Sequence, residues 1–182
     1  MPMRLSRRAV LATLAISGPV SAWAQPIRLP AELAQSELVL RGQKRFRVWG
    51  FEVYDASLWT LPSFNAAQAE TQLLALELHY LRDFAAKDIA ERSIKEMRRS
   101  GPMSAEQESR WMTDMLRVLP NVRQGDRLLG LQRPGEAAVF WHNGRPRGEV
   151  RDAEFARRFF GIWLSPQTSE PALRQALLGG AS

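Results

Sequence analysis

Cysteine is absent from the 182 residues. That excludes disulfides, thiol nucleophiles, thiolate metal sites and a lipoprotein anchor, and leaves an oxidising compartment nothing to crosslink. Only two histidines occur, His79 and His142. Neither lies in an HExxH or another paired-ligand spacing, so zinc has no ligand set. No GxSxG elbow, P-loop or GxGxxG fingerprint is present, and no cofactor or metal is expected. An excess of one charge sign is also lacking: 25 Lys and Arg against 19 Asp and Glu leave a formal net charge of only +6. The chain has no internal repeat or low-complexity tract, and its length suits one domain after the export signal described next.

The amino-terminal segment has its own character. Arg4, Arg7 and Arg8 precede an uncharged run from Ala9 to Val20, and Ala22-Trp23-Ala24 supplies a small-x-small motif. These features predict an export signal over residues 1–24, cut after Ala24, and a periplasmic or otherwise exported domain over residues 25–182. Ser6-Arg7-Arg8-Ala9-Val10-Leu11 also fits the twin-arginine pattern, so the general and twin-arginine routes both stay open. The apolar run is shorter than the roughly 20 residues of a spanning helix, and no integral membrane segment is expected once the signal is removed. Removal takes three arginines and no acid from the charge of +6, leaving +3. That is too mild to suggest a nucleic-acid partner. Of six tryptophans, only Trp23 falls in the signal; rings this large need a deep core or a ligand to cover them.

Period and punctuation define the elements. Glu37 to Arg41 alternates and predicts a first strand. In RFRVWGFEVYDASLW, residues 45–59, the apolar Phe46 and Val48 fall on even positions before Gly50, whereas Phe51 and Val53 fall on odd positions after it. A slip of one residue turns an apolar set outward, so the spacing predicts one bent central strand with a bulge or sharp bend at Gly50, ending near Pro62. Leu73 to Leu81 is a further strand candidate, although its leucines alone would allow a helix. Asp83 is placed to cap a helix carrying Ala86, Ile89, Ala90, Ile94 and Met97, which Ser100-Gly101-Pro102 ends. Ser104 and Gln107 form a capping box for a second helix with Trp111, Met112, Met115 and Leu116 on one face. Strands follow over 126–132, 137–141 and 145–150, with Asn143-Gly144 as a hairpin turn. Asp152 then caps a helix whose Phe155, Phe159 and Trp163 are expected to pack on the sheet, and a short helix begins near Ser169 and Pro171. Segregated strands and helices joined by hairpins predict an α+β fold, an antiparallel sheet with helices layered on one face.

Several charged clusters read as solvated faces: Glu91, Glu96, Glu106 and Glu108 among nearby Lys and Arg, and Arg157-Arg158 opposite the Phe155 and Phe159 stripe. His79 and His142 read as sheet residues. The basic stretch Arg41, Lys44, Arg45, Arg47, interleaved with Phe46 and Trp49, admits two readings. It is an exposed sheet face, or it places an arginine at the mouth of an apolar pocket. There it would hold a carboxylate or phenolate through charge-assisted hydrogen bonds while aromatics hold the rest. The candidate ligand-binding residues are Arg45, Arg47, Trp49, Tyr54 and Trp111.

The stretches GQKRFRVWGFEVYDASLW, LALELHYLRDFAAKDIAERSIKEM, GDRLLGL and VFWHNGRPRGEVRDAEFARRFFGIWLSP together resemble the bacterial chalcone isomerase-like domain family, from about residue 36 to residue 178. The most specific parts are Val53-Tyr54-Asp55-Ala56 with Leu58, and Asp152 to Pro166 with Phe155, Gly161, Ile162, Trp163 and Leu164. The resemblance implies an open-faced β-sandwich, in which a curved antiparallel sheet lies under a layer of helices with a cleft between. Family enzymes close a chalcone into a flavanone by attack of a phenolate oxygen on an enone, which needs a cation for the phenolate and donors for the carbonyl; other members bind fatty acids.

The catalytic pattern is not matched here. Where the bacterial pattern reads Gly-x-Gly-x-Arg, this chain has Gly42, Lys44 and Phe46, with Arg45 and Arg47 flanking the vacant place. The enzymes' first two helices contribute a tyrosine and an asparagine, whereas residues 84–119 contain neither, and Tyr54 and Tyr80 are the only tyrosines. No catalytic residue is therefore assigned. The sequence reads as an exported, non-catalytic protein that binds a small apolar or amphipathic ligand such as a fatty acid. The competing readings are an intramolecular lyase of the chalcone isomerase type and a ligand-free envelope interaction protein. Oligomeric state is not encoded in any of these features.

Overall fold

The computed structural model describes residues 33–34 and 36–180; the expected export signal lies outside them. Six strands, β1 (Val39–Val48), β2 (Phe51–Thr60), β3 (Leu74–Tyr80), β4 (Arg127–Arg133), β5 (Ala137–His142) and β6 (Arg145–Val150), form one antiparallel sheet in sequence order. Four α-helices, α1 (Ala86–Met97), α2 (Ala105–Val118), α3 (Ala153–Leu164) and α4 (Pro171–Leu177), pack over one face, and a 3-10 segment spans Ala66–Thr71. This is the α+β architecture that the alternation and the capping signals predict. The capping box of Ser104 and Gln107 is formed, and Asn143 and Gly144 take the positive φ of a two-residue hairpin turn.

Residues 45–59 fold differently from the expectation. They are not one bent central strand but a hairpin, with Trp49 (φ 48°) and Gly50 (φ 82°) as its turn and β1 at the sheet edge. Val48 pairs with Phe51 and Arg47 with Glu52. Residues opposed across a two-residue turn share a face, so an even residue before the turn and an odd one after it point the same way. The change of parity is the signature of the turn. A bulge is present, but in β2: Phe46 pairs with Tyr54, leaving Val53 as the extra residue.

Three further expectations are corrected. Asp83 does not cap α1; its carboxylate accepts the Gln124 amide at 2.8 Å, and the first amide of α1, on Ala86, donates to the Asn121 side chain at 2.8 Å. Arg158 is not on a wet face but 7% exposed. Its guanidinium donates to Glu154 at 3.0 Å and to the carbonyls of Gly101 and Pro102 at 2.9 and 3.2 Å. Those carbonyls lie just beyond α1, and a buried guanidinium is tolerated only with such acceptors. Glu96, also read as solvated, is 7% exposed.

Between sheet and helices lies the main core, where Leu58, Leu76, Leu128 and Phe140 meet Ile94, Met115, Phe155 and Phe159. The other face of the sheet is partly covered: Leu33 and Leu38, ahead of β1, cluster with Ala75, Leu129, Leu131 and Trp141. At Gly42 the last turn of α4 comes so near β1 that a Cβ would stand 2.2 Å from the Ala176 carbonyl oxygen and 2.5 Å from that of Leu177. Only glycine permits that approach, and the Arg41 guanidinium, donating to the Leu178 carbonyl at 3.2 Å, ties the two elements together.

Candidate ligand-binding cavity

Where the hairpin end of the sheet diverges from the helices, a cavity of about 490 Å³ opens between β1, β2, β3, α1, α3 and α4. Its size falls in the range of small-molecule sites, roughly 300–1,000 Å³. The floor is a run of rings on β1, β2, β3 and the segment after β3: Phe46 stacks on Tyr54 at 5.0 Å, Tyr54 meets Tyr80 edge-on at 5.9 Å, and Tyr80 meets Phe84 at 5.8 Å. Alternation explains the set, since Phe46, Tyr54 and Tyr80 hold paired or near-paired register positions on one face. The Val53 bulge brings Val53 and Tyr54 both onto the cavity wall.

Helix α1 supplies the opposite wall through Ile89, Arg92, Ser93 and Glu96, whose spacing of three, four and seven puts them on one helical face. Phe159 and Trp163 of α3 and Leu173 of α4 close the back, while Val48, Trp49, Phe51 and Arg82 lie at the hairpin end.

The polar groups are few. The Trp163 indole N–H donates to the Tyr54 hydroxyl at 3.0 Å, so the Tyr54 O–H proton remains free to be donated elsewhere. Burial pushes the Tyr54 and Tyr80 phenols well above their ordinary range, so near neutral pH both are hydrogen-bond donors, not bases. Arg92 pairs with Glu96 at 2.9 Å, and Glu96 is the more buried partner, with 7% side-chain exposure against 58%. Arg82 lies over the Phe51 ring at 4.9 Å. The cavity is thus an aromatic and aliphatic body with two neutral phenols inside, two guanidinium groups, those of Arg82 and Arg92, on its exposed side, and the carboxylates of Asp83, Asp88, Glu96 and Glu170 also on its lining.

Of the five residues singled out in the sequence, Trp49 and Tyr54 line this cavity and the other three do not. Arg45 and Arg47 point from the opposite face of β1, because odd positions alternate with Phe46 and Val48. Arg45 binds both carboxylate oxygens of Asp55, at 2.7 and 2.9 Å, and Glu52 at 2.9 Å, while Arg47 binds Glu52 at 2.7 Å. Hydrogen bonds from Arg47 and Arg45 hold the Glu52 carboxyl below its usual range. Trp111 is fully buried between α2 and α3, donating to Asp152 at 2.9 Å and meeting Phe155 edge-on at 5.8 Å. Arg82, Ile89, Arg92 and Ser93 were not anticipated. The i, i+3, i+4 spacing on α1 was the available signal, but Arg92 and Glu96 resemble an ordinary surface pair.

Trp49 is 94% exposed and sits in the left-handed region at a turn position that favours Asn or Gly. A bulky residue there costs about 1–2 kcal/mol. Trp49→Asn is therefore expected to raise stability by about 1 kcal/mol in urea denaturation, because almost no packing is lost.

A chalcone isomerase-like family model matches residues 25–179, and the chain belongs to that family. Among solved structures it is similar to a crystal structure of a fatty-acid binding protein from Arabidopsis thaliana, with a TM-score of 0.60 and 9% identity, covering 79% of this chain and 88% of that one. At that identity the likeness is one of fold. No curated protein matches the sequence.

Proposed function

We propose that the protein holds a small apolar or amphipathic molecule, best fitted by a fatty acid, in the cavity between β1–β3 and α1, and that it does no isomerase chemistry. The observation that carries this is the polarity of the cavity: an apolar body about 490 Å³ in volume, with its charged groups, Arg82 and Arg92 beside the carboxylates of Asp83, Asp88, Glu96 and Glu170, confined to part of the lining. A hydrocarbon tail would bury against Phe46, Tyr80, Phe84 and Phe159, leaving its carboxylate within reach of a guanidinium. The fatty-acid binding of the structural neighbour supports the same reading.

Two features argue against cyclisation of a phenolic enone. Catalysis requires charge stabilisation where the oxyanion develops, whereas the most buried charged group on the cavity wall is an anion, Glu96. The two helices from which the family's enzymes draw a tyrosine and an asparagine contain neither. Export belongs to this proposal. The mature chain would begin at Gln25 and act in the periplasm or beyond, which amino-terminal sequencing of protein recovered from cell-envelope extract would check.

Thermal unfolding with dodecanoate and hexadecanoate tests binding directly. A ligand at about 100 times its Kd adds about 2.7 kcal/mol of stability, read as an upward shift of Tm. Ile89→Trp, which adds bulk to the half-buried α1 wall, is expected to weaken that binding by about tenfold or more. No Tm shift with either acid, or turnover of a chalcone followed by its absorbance, would overturn the reading.

A further inference from the structure

The tip of the β1–β2 hairpin lines the end of the cavity, yet it has an exposure and a backbone strain that folding does not explain. Trp49 and Phe51 are 94% and 60% exposed, the largest exposures among the big apolar side chains of the described residues. Val39, Leu40 and Leu116, the others, are 46–47% exposed and lie away from the turn. Trp49 also occupies a strained φ of 48° in a turn where asparagine would be more stable. A ring held in water at a conformational cost is an outlier that points to a use. Beside it, Arg82 stacks over Phe51 and has no carboxylate partner among the described residues.

We infer that this tip docks on a lipid bilayer: Trp49 and Phe51 enter the interfacial layer while Arg82 meets a headgroup phosphate. Indole rings favour that layer because one edge is apolar and the N–H is polar, and a guanidinium matches phosphate geometry. The shape selects a bilayer over a protein partner. Trp and Phe side chains bury roughly 150–250 Å² each, so a two-residue point falls well short of the roughly 800 Å² per partner of a stable protein interface. Insertion of a few rings needs no such area. The same residues line the hairpin end of the cavity, so docking would bring its opening to the phase where amphipathic molecules reside. That entry route rests on the ligand-binding proposal; the docking does not.

Co-sedimentation of the ligand-free protein with vesicles of phosphatidylglycerol and phosphatidylcholine tests it. The wild-type chain is expected to partition onto the vesicles, the Trp49→Ser/Phe51→Ser double variant to lose at least about tenfold of that partition, and Trp49→Phe to keep most of it. Arg82→Gln should weaken it by a smaller factor. Unchanged circular dichroism in the double variant would show that the fold is retained. No partition by the wild type, or equal partition by the double variant, would overturn the inference. So would a wild-type dimer in sedimentation velocity that the double variant converts to monomer, since the tip would then meet a second copy of the chain. Dodecanoate titration without vesicles reads the cavity separately: binding there without vesicle partition defeats docking alone, and partition without fatty-acid binding defeats only the entry route.

Discussion

Phe159→Ala is expected to cost about 3–5 kcal/mol, as truncation of a buried aromatic does when its surroundings cannot collapse. Phe159 is 5% exposed and stands at the centre of a ring cluster. It stacks on Phe155 at 5.5 Å and meets Phe140, Phe160 and Trp163 edge-on at 5.3, 5.5 and 5.6 Å. Removing it takes away the ring contact between α3 and Phe140 of β5 and joins the vacated space to the ligand cavity, whose wall it forms. The loss would appear in urea denaturation as a lower midpoint with little change in slope. Stability unchanged within about 0.5 kcal/mol would mean that α3 is not held to the sheet by this residue.

The second large effect falls on Asp152. Its carboxylate caps α3 by accepting the Phe155 amide at 3.0 Å, accepts the buried Trp111 indole at 2.9 Å, and pairs with Arg110 at 2.9 Å. Loss of an N-cap costs about 1 kcal/mol, and a buried donor left without an acceptor about 1–3 kcal/mol. The exposed side of the Arg110 pair adds little. Asp152→Ala should therefore destabilise by about 2–4 kcal/mol.

The same residue gives a pH dependence. Burial pushes the Asp152 carboxyl up, but the hydrogen bonds from Phe155 and Trp111 and the charge of Arg110 outweigh it and bring the group below its ordinary value. A carboxyl lowered on folding contributes stability above its unfolded value, about 3.9, and loses it as pH falls through the folded value. Asp152→Asn keeps an acceptor for both donors without the charge. The difference in stability between wild type and Asp152→Asn is thus expected to be flat near neutrality and to shrink below about pH 4. A gap that widens in acid would contradict the assignment.

How much of this was legible in the sequence depended on whether the signal was local. The Asn143-Gly144 turn, the Ser104 box and the Asp152 cap each depend on chemistry within four residues, and each is formed. The Trp49-Gly50 turn was missed because tryptophan is not a turn residue and a lone glycine suits a bulge equally well. Asp83 and Arg158 were misplaced because their partners, Gln124 and the carbonyls of residues 101 and 102, are fixed only by tertiary packing. The cavity was half legible. Period-two alternation already set Phe46 and Val48 apart from Arg45 and Arg47, so the arginines could have been placed on the far face. Nothing in residue type distinguishes Trp111, a stitch between two helices, from Tyr54, on the cavity wall. The rotation of α1 that buries Glu96 is not written in α1 alone.

Gly42 and the end of α4 meet across nearly the whole chain; Arg41 and Leu178, which bond beside them, are 137 positions apart. Synthesis proceeds from the amino end, so β1 waits with that flank bare until α4 has left the ribosome. Long-range closures of this kind slow folding and lengthen the interval in which a nascent chain needs chaperones. A stop codon before Leu173 would consequently yield an aggregating fragment, not a smaller working domain.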